Sequence, residues 1–75
     1  MLLKLNSPAP LILLGKALLK QQELPMAKKY LDQAPAMDPR NYIAHTLLGQ
    51  VYRSLGQADK ASQEFHLVEQ IKAKR

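Results

Sequence analysis

The sequence has 75 residues, 47% of them hydrophobic and 23% charged, which suits one small folded domain and excludes a disordered chain or two independent cores. It contains no cysteine, so disulfides, thiolate catalysis, iron–sulfur clusters and cysteine-held zinc are excluded. Eleven Lys and Arg against six Asp and Glu give a net charge of +5, but no basic run exceeds Lys28-Lys29 and acids are interleaved, as on an ordinary solvated surface.

In chain order, Met1-Leu2-Leu3-Lys4-Leu5 is broken too soon by Pro8 and Pro10 to read as a secretory leader. No run approaches the roughly 18 apolar residues that span a bilayer. These features favour a soluble, cytoplasmic chain. Residues 1–7 read as an N-terminal extension resembling the tail of a preceding helix. Ser7-Pro8-Ala9-Pro10 then opens a first helix near 9–21, because proline is tolerated where backbone N–H groups lack intrahelical acceptors. Leu11, Leu14, Gly15 and Leu18 recur at helical spacing within it. Every residue from Leu11 to Leu19 except Gly15 and Lys16 is apolar, so this helix is expected to be covered on more than one side. The Met1–Asn6 segment, a preceding repeat or a second copy could each supply that cover.

Gln21 to Leu24 forms a turn, and Pro25 suits the first position of a second helix near 25–36, with Met26, Ala27, Tyr30, Leu31 and Ala34 on one face. Pro35 lies inside that pattern. It lacks an N–H and crowds the carbonyl of Leu31, which predicts that the helix stops or kinks near Ala34 and is shorter than the fourth. Asp38-Pro39-Arg40-Asn41 is a break, with Asn41 placed to cap a third helix over 42–54. Gly56 supplies the left-handed residue that ends it. A fourth helix over 58–73 turns Ala61, Phe65, Val68 and Ile71 inward. The expected fold is all-α, built as two stacked helix-turn-helix hairpins.

Sliding the chain by 34 residues superposes Leu13-Leu14-Gly15 on Leu47-Leu48-Gly49 and Ala27 on Ala61. Leu31 falls on Phe65, Leu18 on Tyr52 and Ala34 on Val68, each apolar and at a packing position. The second unit, 42–75, reads His45-x2-Leu48-Gly49-x2-Tyr52, then Gly56, then Ala61-x3-Phe65. The first, 8–41, reads Leu11-x2-Leu14-Gly15-x2-Leu18, then Ala27-x3-Leu31, and ends with Pro39 in register. Both resemble the tetratricopeptide repeat, whose 34-residue pattern runs W-x2-L-G-x2-Y, A-x3-F, P. Ala73 replaces the terminal proline in the second unit, and Gln22 stands where that unit has Gly56. Small residues let paired helices approach, so Gly15 is expected to meet Ala27 and Gly49 to meet Ala61.

No catalytic constellation accompanies this pattern. His45 and His66 lie on different helices, and His45 takes the position of the repeat's large aromatic, a packing role. His66 and Glu69 share a helical face but have no evident third ligand. The serines lack a nucleophile-elbow context, and no glycine-rich phosphate loop is present. No enzyme activity, cofactor or metal site is expected. The resemblance instead implies a non-catalytic protein-interaction module whose first helices line a concave groove for a peptide or helix.

On that reading the groove draws Ile12, Lys16, Leu19 and Lys20 from the first helix, with Ala9 and Leu13 beside them. Thr46, Gln50 and Arg53 come from the third, with Ile43, Leu47 and Ser54. Family members that clamp a chaperone's C-terminal carboxylate carry lysine and asparagine where this chain has Ile12, Lys16 and Leu47, which argues against that clamp. Aliphatics mixed with Lys16, Lys20 and Arg53 suit a partner segment with acidic residues. Bare apolar faces at both ends (Leu2, Leu3 and Leu5 with the first helix, Val68 and Ile71 opposite) lead us to expect self-association. The alternative is a small basic helix-turn-helix protein binding nucleic acid, which requires clustered phosphate-contacting cations.

Overall fold

The computed structural model describes residues 9–39 and 41–73. The extension over residues 1–7, together with Pro8, Arg40, Lys74 and Arg75, lies outside the described residues. Four helices follow one another: α1 (Ala9–Lys20), α2 (Leu24–Met37), α3 (Tyr42–Ser54) and α4 (Ala58–Ala73). No strand occurs among the described residues. Helix α1 packs chiefly on α2 and α3 on α4, while α2 joins the two hairpins by lying against α3.

The same four backbone hydrogen bonds close both hairpins. In the first, Gln21 N–H donates to Ala17, Gln22 to Leu19, Glu23 to Leu18 and Ala27 to Glu23. In the second, Leu55 donates to Val51, Gly56 to Arg53, Gln57 to Tyr52 and Ala61 to Gln57. Each bond of the second set lies 34 residues after its counterpart. The middle two of each set form the paired bonds of a Schellman motif, which satisfies terminal carbonyls and needs a left-handed residue. Gln22 and Gly56 fill that position with φ of 63° and 79°.

Local chemistry explains the boundaries. Asn41 caps α3, its side-chain oxygen accepting from the Ile43 N–H at 3.1 Å. Helix α2 begins at Leu24, one residue before the expected start, so Pro25 is its second residue, still within the turn that has no intrahelical acceptors. The expected stop at Ala34 does not occur, and α2 runs on to Met37. Proline deprives only the Leu31 carbonyl of its donor, and the Asp38 N–H resumes the ladder by bonding Ala34 at 3.1 Å. At 14 residues against 16, α2 is shorter than α4.

Ala27, Leu31, Ala34, Ala44 and Val51 are fully buried, with Ile12, Leu47, Leu48, Tyr52 and Ala61 completing the cluster. Met26, expected on the inner face of α2, is half exposed instead. Val68, expected to be partly bare, is buried, and Ile71 is half-buried. Both glycines of the motif permit close helix approach. A methyl group on Gly15 would meet Leu31 Cγ and Cδ2 at 2.5 Å, and one on Gly49 would meet the Phe65 ring at 2.6 Å. The nearest neighbours are therefore Leu31 and Phe65 rather than Ala27 and Ala61. The glycine sits beneath the large residue one turn along the facing helix.

Candidate functional site

Helices α1 and α3 are neighbours in space, and they divide the residues expected to line the groove. Lys16 and Lys20 are exposed on α1, and Leu19 is half-buried beside the core. On α3, Thr46 and Gln50 are half-buried, and the Thr46 hydroxyl donates to the Tyr42 carbonyl one turn back at 3.0 Å. Arg53 is exposed, with its guanidinium 5.9 Å from the centre of the Phe65 ring on α4. Ile43 projects from the start of α3, half exposed. Ile12 and Leu47 take a different place: both belong to the core. The surface left to a ligand is thus cationic toward the helix C-termini and aliphatic near Ile43.

The charge distribution is one-sided. Helices α1 and α3 carry Lys16, Lys20 and Arg53 and no carboxylate. All six acidic residues (Glu23, Asp32, Asp38, Asp59, Glu64 and Glu69) fall on α2, α4 and the connecting segments. On α2 and α4 the cations are largely engaged locally. Lys28 donates to Asp32 at 2.9 Å, and that hydrogen bond, then the attraction of the carboxylate, raises its pKa above the ordinary lysine value. The Lys28 and Lys60 ammonium groups also lie 5.9 and 5.8 Å from the Tyr52 ring.

One contact had no sequence counterpart in the expectations. His45 Nδ1 lies 2.7 Å from Glu64 Oε1, joining α3 to α4 with both side chains mostly buried. An ionised carboxylate only accepts, so the imidazole donates. His45 therefore combines the packing role expected of it with a hydrogen-bond partner. The available signal was the 34-residue register: His45 and Glu64 stand where the first hairpin has Leu11 and Tyr30, two apolar positions exchanged together for a polar pair. No three His, Asp or Glu side chains converge as a metal site among the described residues.

The remaining motif residues divide between packing and exposure, with Leu14 on α1 exposed to 42%. Leu48, Tyr52 and Ala61 are buried and Phe65 half-buried, while Pro39 lies exposed in the turn before α3. A family model described as Tetratricopeptide repeat matches residues 18–75. The chain belongs to the tetratricopeptide-repeat family. No curated protein and no solved structure matches it significantly. The family's helical hairpins account for the all-α architecture, and the closing hydrogen bonds carry the same geometry into α1, ahead of the matched residues. No described helix is long and apolar enough to cross a membrane.

Proposed function

We propose that this tetratricopeptide-repeat chain, with units over 8–41 and 42–75, is a non-catalytic interaction module that receives an acidic peptide or helix along α1 and α3. The observation that carries this reading is the segregation of charge: Lys16, Lys20 and Arg53 stand on these two helices without a single carboxylate. Complementary potential steers an acidic segment to that face and sets its orientation. Ile43 and the half-buried Leu19 offer apolar contact beside the cations. Nucleic acid is the weaker ligand because the three cations are spread over two helices rather than clustered on one.

Titration calorimetry with a synthetic amphipathic peptide bearing Glu on one face tests the reading, with its Lys counterpart and duplex DNA as comparisons. We expect binding of the Glu peptide alone, weakened about three- to tenfold by the Lys16→Glu/Lys20→Glu variant. Equal binding of the Lys peptide, or tight DNA binding with a steep salt dependence, would overturn it.

A further inference from the structure

The 34-residue register allows the two first helices of the repeats to be compared position by position. On α3, Ala44, Leu47, Leu48 and Val51 form a stripe that is at most 8% exposed, because the first hairpin lies over it. The corresponding residues of α1 are Pro10, Leu13, Leu14 and Ala17. They are apolar too, and all four are exposed, Leu13 to 68% and Leu14 to 42%. Their spacing of three, four and seven places them on one face of the helix. The fold thus presents on α1 the same kind of surface that it buries on α3.

We infer that this stripe is a homodimer interface, with α1 of a second copy lying antiparallel across it. Two observations choose the second copy over a head-to-tail stack. In a stack, the outer face of α4 would have to cover α1, as α2 covers α3. At the positions of Leu24, Lys28 and Pro35, all half-buried on α2, α4 carries Ala58, Ser62 and Glu69, all exposed. Stacking would bury a carboxylate and a hydroxyl against leucine, which is unfavourable without partners.

The α1 stripe, by contrast, complements itself. A two-fold axis passing between Leu13 and Leu14 sets Leu13 of one copy beside Leu13 of the other on one side of the seam and Leu14 beside Leu14 on the other, with the smaller Pro10 and Ala17 at the two ends. Such an isologous contact closes at two copies. Helix α1 has 12 residues, about 18 Å of length at 1.5 Å rise per residue. The two copies of Lys20 then lie near opposite ends of the contact, farther apart than the ~8 Å over which charge acts at physiological salt. A single helix pair falls short of the roughly 1,200–2,000 Å² buried by stable complexes, so the dimer is expected to be reversible. The inference does not rest on the identity of the groove's ligand, but Leu13 adjoins Lys16 and Lys20, so the dimer and a ligand along α1 compete.

Sedimentation equilibrium of the full 75-residue chain, over a roughly hundredfold concentration range centred on tens of micromolar, tests it. We expect a monomer–dimer equilibrium with no larger species. Leu13→Glu, at an exposed position, should weaken association at least about tenfold while leaving the helical circular dichroism unchanged, because it sets carboxylates against apolar groups. The chain has no cysteine, so Leu13→Cys supplies a unique thiol that should oxidise to a cross-linked dimer about tenfold faster than Gln63→Cys on α4. A monomer throughout the range would overturn the inference, whether the face is covered by residues 1–8 or left bare. So would open-ended growth, or a dimer indifferent to Leu13→Glu.

Discussion

Gln22 and Gly56 occupy the same backbone position 34 residues apart, closing their hairpins with φ of 63° and 79° and identical hydrogen-bond patterns. Only one of them is the residue type suited to that conformation. An L side chain in the left-handed region costs about 1–2 kcal/mol, whereas glycine enters it freely. Part of the gain from Gln22→Gly is lost to the greater freedom of glycine in the unfolded chain. The expected net stabilisation is about 0.5–1 kcal/mol, read as a higher urea midpoint with unchanged slope. Gly56→Ala, where nothing lies within 4 Å of the added methyl, should lose about 1 kcal/mol through backbone strain alone.

The two glycines facing the partner helices separate a steric cost from a propensity gain. Alanine improves on glycine in a helix by about 1 kcal/mol, but each methyl would intrude on a neighbour. At Gly15 that neighbour is the fully buried Leu31, approached at its branch point, Cγ. At Gly49 it is the half-buried Phe65 ring, which can swing outward. Overpacking costs about 1–3 kcal/mol, so Gly15→Ala should lose about 1–2 kcal/mol net and Gly49→Ala less than about 1. Thermal or urea unfolding of the two variants orders them directly.

What the sequence disclosed divides along the same physical line. Helix ends at Asn41 and Gly56 were legible because a cap or a left-handed glycine acts within a few residues. The facing of α1 was not. Its residues are apolar nearly all round, so no stripe marks the inner side, and the motif assigned Leu14 to packing and Ile12 to the groove. The structure buries Ile12 and leaves Leu14 at 42% exposed. Leu14 holds the register of Leu48, but Leu48 is buried because a preceding hairpin covers it. Lys16 and Lys20 are exposed on α1, whereas the placement of the Arg53 guanidinium over the Phe65 ring depends on tertiary geometry that no local pattern encodes.

Among the described residues Pro35 is the one proline within a helix interior, three residues before the Asp38 cap. Its cost is below the roughly 3 kcal/mol of a central helix position, because only the last turn is affected. Pro35→Ala restores an N–H for the Leu31 carbonyl but frees the unfolded chain by about 0.4–1 kcal/mol. We expect a net stabilisation of about 1 kcal/mol, together with increased amide protection at residues 36 and 37 in hydrogen exchange.

Asn41 gives a simpler case. Its side-chain oxygen is the acceptor found for the Ile43 N–H, so Asn41→Ala should lose about 1 kcal/mol, while Asn41→Asp or Asn41→Ser should retain most of the stability. Chemical denaturation of the three variants provides the ranking.

The contact of His45 with Glu64 offers the sharpest test of how the second hairpin departs from the first. The pair spans α3 and α4 at 2.7 Å with side chains only 16% and 18% exposed, so removing one partner strands the other in a largely dry site. Glu64→Ala should therefore cost about 1–3 kcal/mol, and Glu64→Gln less, because its carbonyl oxygen still accepts the imidazole proton. His45→Leu alone, leaving the carboxylate without its donor, should fall in the same range as Glu64→Ala. The first hairpin carries Leu11 and Tyr30 at these positions, which supplies a natural apolar replacement for both at once. Exchanging a hydrogen-bonded pair for apolar groups together is often neutral or stabilising, since no charge is left to desolvate. The His45→Leu/Glu64→Tyr variant should thus recover most of the stability lost by the single substitutions, with a coupling of about 1–2 kcal/mol in the double-mutant cycle. Strictly additive losses would mean that the two side chains contribute separately, through packing rather than through their bond.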